Sequence, residues 1–196
     1  MSNKQLKSTK LPVAIFASGN GTNFDAIAEA ELPIDIRLLV CDHHDAYVVQ
    51  RAKRKGIDVL IEELHKGEKR SIREGRILKA LKEQGVKVIM LAGYMRIVGD
   101  TLLNAFPNKV INIHPALLPS FPGKQGILDA YNAGVNKTGV TIHFVDSGID
   151  SGQIIAQEEV FRKEGDSLAD LENRIHDVEH QLYPRTILQL IKKGVI

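Results

Sequence analysis

The chain has 196 residues, 43% of them apolar and 26% charged, with one cysteine and a formal net charge of +2. A chain this long buries roughly 70% of its unfolded surface in one core without staples, and a lone Cys41 excludes an internal disulfide framework and a cysteine-based zinc site. The small net charge argues against general nucleic-acid affinity, no apolar run approaches the ~18 residues of a membrane span, and the polar stretch Met1 to Lys10 lacks the apolar core of a signal peptide. The expected compartment is the cytoplasm, with no nucleic-acid or membrane partner.

Leu11 to Ala17 is a short apolar run, followed by Ser18-Gly19-Asn20-Gly21-Thr22-Asn23 and then by Phe24, Ile27 and Ala28 at helical spacing. This reads as strand, turn and helix. The alternation repeats in Ile34 to Cys41 as strand, Ala46 to Lys55 as helix stopped by Gly56, and Ile57 to Ile61 as strand. Ile72, Leu78 and Leu81 lie on a basic helix ending at Gly85, and Val86 to Ala92 follows as a strand buried on both faces. A short helix near Asp100 to Phe106 leads into the strand Val110 to Ile113. His114 to Gly126 holds three of the seven prolines and must be a stiff loop; its Leu118-Pro119 bond is the candidate for a cis peptide. Thr141 to Val145 and Ile154 to Val160 are two strands joined by the turn-rich stretch Asp146 to Gly152. Ser167 and Asp170 form a capping box for a helix marked by Leu168, Leu171, Ile175, Val178 and Leu182, expected to kink or end near Pro184. The pattern predicts one α/β domain over 11–196 behind a polar tail over 1–10. Its sheet is doubly wound and mostly parallel, with a mixed edge towards the C-terminus.

Three constellations can carry chemistry. The turn Ser18 to Asn23 opens a helix, where backbone N–H groups and the helix dipole suit an anion; a tight turn that needs only positive φ is the plainer alternative. Asp42, about 20 residues on, invites a dinucleotide reading, which fails because Phe24 stands where the third glycine belongs. Absence of a lysine after the glycines excludes a nucleoside-triphosphate loop. Next, Asn112 and His114 project to one side at the carboxyl end of their strand, and Pro115 keeps His114 extended. Amide and imidazolium are both donors for a developing oxyanion. Asp150, in the 146–152 loop, reads on spacing alone as a turn aspartate and gains weight only as a partner for His114. His143 reads as structural, and the neighbours His43 and His44 point apart, which argues against a metal site.

The turn Ser18 to Asn23, the segment L-A-G-Y-M-R-I-V at Leu91 to Val98, the run N-I-H-P-A-L-L-P-S-F-P-G at Asn112 to Gly123 and H-F-V-D-S-G-I-D-S-G at His143 to Gly152 follow one another in a familiar order. From about Leu11 onward the chain resembles the phosphoribosylglycinamide formyltransferases, small folate-dependent enzymes of purine synthesis. Methionyl-tRNA formyltransferase and formyltetrahydrofolate deformylase share the core but carry an additional domain, for which the chain as read has no room. The resemblance implies a Rossmann-like formyltransferase fold and transfer of the formyl group of 10-formyltetrahydrofolate to the amine of 5-phosphoribosylglycinamide. The products would be formylglycinamide ribonucleotide and tetrahydrofolate, with no metal involved. It implies catalytic roles for Asn112, His114 and Asp150. Gly21, Thr22 and Asn23 fall on phosphate-binding positions, and Pro115, His176 and Glu179 on those for the rest of the ribonucleotide. Arg70, Met95, Arg96, Ile97, Val98 and Asn112 fall on folate-binding positions, as do Asp146, Ser147, Gly148, Ile149 and Asp150. Gln125 and His176 depart from the pattern, since some members carry histidine at the first and glutamine at the second. A non-catalytic ligand binder on the same fold, and a transferase or deformylase with another acceptor, are the rival expectations. Monomer and homodimer both stay open.

Overall fold

The structure, a computed structural model, describes residues 10–196, so the expected polar tail lies outside the described residues except for Lys10. Seven strands form one sheet: β1 (Leu11–Ala17), β2 (Ile34–Cys41), β3 (Asp58–Ile61), β4 (Val88–Leu91), β5 (Val110–His114), β6 (Lys137–Phe144) and β7 (Ile154–Phe161). They lie in the order β3-β2-β1-β4-β5-β6-β7. The first five pair in parallel, whereas β6 runs antiparallel to β5 and β7 antiparallel to β6. The doubly wound sheet with a mixed C-terminal edge is therefore as the alternation of elements implied.

Parallel strands need crossovers, and α1 (Thr22–Glu29), α2 (Tyr47–Arg54), α3 (Arg70–Glu83) and α4 (Asp100–Ala105) supply them. The two sheet faces are buried separately. Val13, Ile15, Met90 and Ile111 pack on one side with Phe24 of α1, while Ala14, Phe16, Ile89 and Val110 pack on the other with Ile77 and Leu81 of α3. Continuous apolar strands such as β4 are the sequence trace of this two-sided burial.

Three elements go beyond what was expected. The strand expected from Thr141 begins at Lys137; Gly139 weakened the pattern, yet a Cβ there would lie 2.1 Å from the Glu158 carbonyl oxygen, so the close approach of β7 demands glycine. A helix α5 (Gly126–Asn132), in a stretch for which no element is expected from the sequence, follows the proline-rich loop and buries Ile127 and Ala130. The last helix, α6 (Leu168–Lys192), does not end at Pro184 but continues through it to Lys192. Burial of Leu182, Tyr183, Ile187 and Leu190 on the proline's flanks outweighs the ~3 kcal/mol that an internal proline costs. Its start is the capping box of Ser167 and Asp170, as expected. The Leu118-Pro119 peptide is cis.

Candidate active site

The strand order reverses between β1 and β4, and in open α/β sheets the crevice beyond the carboxyl ends of such strands is where ligands bind. A pocket of about 440 Å³ occupies that position. Its walls come from the turn after β1, the loop after β4, the end of β5, the loop between β6 and β7, and one face of α6.

At its centre β5 presents Asn112 and His114, whose antiparallel partners on β6 are His143 and Thr141. His143 Nδ1 lies 2.8 Å from the Phe144 carbonyl oxygen, and because a carbonyl only accepts, that nitrogen carries the proton. In that tautomer Nε2 accepts from Asn112 Nδ2 at 3.1 Å, which fixes the amide and leaves its second hydrogen for a ligand. The same reasoning applies to His114. Its Nε2 donates to the Phe121 carbonyl oxygen at 2.8 Å, leaving Nδ1 facing Asp150 Oδ2 at 3.5 Å. A protonated His114 keeps its Nδ1–H for a ligand, since 3.5 Å to the carboxylate is longer than a formed hydrogen bond.

Asp150 stands between the two imidazoles, with Oδ1 3.6 Å from His143 Nε2. The 146–152 loop delivers it through a left-handed residue: Asp150 has φ 50°, and Asp146 Oδ1 ties the loop by accepting from Gly148 N and Ser151 Oγ. Burial pushes the Asp150 carboxyl up, but the Gly123 N–H at 2.7 Å and the charge of His114 hold it below the ordinary carboxylate range. The stiff loop after β5 is fastened by Thr141, whose hydroxyl donates to the Ala116 carbonyl and accepts from Leu118 N and Gln157 Nε2.

One flank of the pocket is the turn before α1. Gly21 has φ 83°, and a Cβ there would sit 2.5 Å from Val48 Cγ2, so both conformation and space call for glycine. No side chain caps α1, which leaves its first amides free for an acceptor. Asn23 Nδ2 donates to Glu179 Oε2 at 3.0 Å, and His176 Nδ1 meets the same oxygen at 2.8 Å. That bond raises the His176 pKa above the usual 6.5 against the opposing effect of burial. The other flank is the 93–99 loop, held by Ser18 Oγ at Met95 N and by Glu74 at Gly99 N. Exposed Met95, Ile97 and Ile149 give it an apolar mouth.

A model of the formyl transferase family matches residues 11–187. The chain belongs to the formyl transferase family. Phosphoribosylglycinamide formyltransferase of Bacillus subtilis (strain 168) is 46% identical over 182 residues, 91% of this chain and 93% of that protein. A crystal structure of phosphoribosylglycinamide formyltransferase from Streptococcus pneumoniae TIGR4 superposes with a TM-score of 0.88 at 48% identity, covering 92% of this chain and 99% of that one. The corresponding crystal structure from Bacillus halodurans gives 0.90 at 45% identity, over 93% and 96% of the two chains.

Of the residues the formyl transferase resemblance singles out, Gly21, Thr22, Asn23, Met95, Arg96, Ile97, Val98, Asn112, His114, Pro115, Asp146, Gly148, Ile149, Asp150, His176 and Glu179 all reach the pocket wall. Ser147 and Arg70 do not. Ser147 is exposed on the loop, and Arg70 lies at the rim, its Cδ over Gly99. The Arg96 guanidinium is spent on Asp42 at 2.5 Å, a carboxylate with no exposed side-chain surface, so what Arg96 offers a ligand comes from its backbone. His143, read from the sequence as structural, lies in the pocket wall bonded to Asn112. Its signal lay in strand register, which places it opposite Asn112 and which no local pattern reveals. Among the described residues no group of three or more His, Cys, Asp or Glu could hold a metal, and no helix is long and apolar enough to cross a membrane. His44 bonds Glu63 instead.

Proposed function

We propose that this chain transfers the formyl group of 10-formyltetrahydrofolate to the amine of 5-phosphoribosylglycinamide, in the cytoplasm. The observation that carries the reading is the convergence of Asn112, His114 and Asp150 in a pocket that also holds a glycine turn at a helix start. The amine attacks the formyl carbon, and negative charge develops on the formyl oxygen. Asn112, with one amide hydrogen tied to His143, donates the other to that oxygen, and His114 donates from Nδ1. Asp150 steadies the imidazolium and receives, through a water, the proton shed by the attacking nitrogen; collapse of the oxyanion then breaks the bond from the formyl carbon to the folate nitrogen, which takes up a proton as tetrahydrofolate leaves. Gly21, Thr22 and Asn23 hold the phosphate with backbone amides, and Glu179, kept in place by Asn23, accepts from ribose hydroxyls, with Pro115 and His176 beside it. The pterin edge lies along backbone groups of 95–98 and of the 146–150 loop between the apolar walls of Met95, Val98 and Ile149, and the glutamate tail runs out towards Arg70.

The test is a formyl-transfer assay with both substrates, following tetrahydrofolate and the formylated ribonucleotide. The expected result is stoichiometric formation of both, dependent on the ribonucleotide. Release of formate without it would instead assign a deformylase, and binding of the ribonucleotide without turnover would assign a ligand binder.

A further inference from the structure

We propose that Tyr183 is a positioning residue for the formyl-transfer site, acting through the backbone of β4 and β5 rather than by touching substrate; this rests on the reading above. Tyr183 has no exposed surface and is among the largest fully buried side chains. Its hydroxyl, 3.1 Å from both the Leu91 and the Ile111 carbonyl oxygens, shares one hydrogen between two strands. Burial pushes its pKa up, so it stays a neutral donor at any working pH. An apolar core of this kind is filled as well by phenylalanine, and a buried hydroxyl is kept at a cost unless it is bonded.

The position of the bond is what matters. Leu91 is the last residue of β4 and pairs with Asn112. Beyond it the chain turns into the 93–98 loop, and beyond Ile111 stands Asn112 itself. Tyr183 therefore clamps the two strands where one departs for the proposed folate wall and the other delivers the oxyanion donor. It also sits four residues after Glu179 on α6, so one rigid helix sets both the ribonucleotide side and the spacing behind Asn112. Small displacements of a donor from its reacting atom cost rate steeply, whereas the phosphate turn makes no contact with this hydroxyl.

The experiment is Tyr183→Phe in the full chain, assayed well below its melting temperature. Turnover at saturation should fall about tenfold with the ribonucleotide KM unchanged. The amide nitrogen resonances of Ala92 and Asn112, which follow the two released carbonyls, should shift while those of 21–23 stay put. Parent-level turnover overturns the proposal. So does a Phe variant that fails to fold, because the hydroxyl would then serve stability alone. An inactive parent enzyme would instead refute the proposed function; in that case unmoved Ala92 and Asn112 resonances overturn the clamp, and shifted ones support it as a backbone device.

Discussion

The turn before α1 is made from six consecutive residues, Ser18 to Asn23, whereas the opposite end of the pocket gathers Asn112, His114, His143 and Asp150 from two strands and a loop. The turn is shaped by local conformation, above all the left-handed Gly21, and is braced from outside by Arg51, which donates to the Asn20 backbone and side-chain oxygens. The proposed catalytic end is shaped by strand register, and its polar groups fix one another in a chain of bonds from Phe144 through His143 to Asn112. Local geometry suits a group with fixed charge, such as phosphate. A cluster assembled over long range can instead set the direction of each hydrogen, which stabilisation of a developing oxyanion requires.

If the two ends are separable in function, variants at each should fail differently. Asn112→Ala removes an oxyanion donor and should lower turnover by ~10²–10³ while leaving ribonucleotide affinity nearly intact; steady-state kinetics with calorimetric titration would show it, and an equal loss of affinity would join the two ends into one. Gly21→Val drives a side chain into Val48 and should raise the ribonucleotide KM roughly tenfold, the equivalent of one or two weakened amide bonds, with turnover at saturation and formylfolate affinity preserved. Loss of formylfolate binding in that variant would break the division.

Gly126→Ala sharpens the account of His114. A methyl there would lie 3.1 Å from His114 Nε2 and 3.2 Å from the Phe121 carbonyl oxygen, so the imidazole must yield by a few tenths of an ångström. Turnover should drop about fivefold with both KM values unchanged, and an unaltered rate would show that the Phe121 bond does not hold the ring.

The smallest effect concerns His176. Its Glu179 bond raises its pKa, so the proton it holds in the folded protein is fully present below pH 6.5 and is lost as pH rises through the raised value. The parent's ribonucleotide KM should climb about two- to threefold across that interval, and His176→Gln should remove the climb. An identical pH profile in both would leave His176 without a role in binding the anion.

The sequence made the turn end legible because every determinant lies within one strand, one turn and one helix start: the apolar run Leu11 to Ala17, the glycines, and the 3.6-residue spacing after them. It also exposed Asn112 and His114 at the end of one strand, with Pro115 just beyond it. Asp150 emerged only by resemblance to a family, since 36 positions separate it from His114 and its own surroundings look like any turn. His143 was legible only as a structural residue, without its link to Asn112. Its bond to Asn112 depends on an antiparallel register fixed by the whole sheet, and a slip of one residue would have turned it to the other face. That α6 continues past Pro184 was hidden for a related reason, because the local cost of the proline is visible in the sequence while the burial of Tyr183 and Ile187 is not.

The most direct test of the catalytic cluster is Asp150→Asn. The amide replaces the carboxylate almost isosterically and can still accept from Gly123 N, but it removes the charge between His114 and His143. The measurement pairs single-turnover formyl transfer, both substrates bound, with titrations of each substrate. The rate should fall by ~10²–10³ with both affinities within about twofold of the parent's. Transfer at the parent's rate would contradict the account and leave Asp150 as the ordinary turn residue that its spacing suggests.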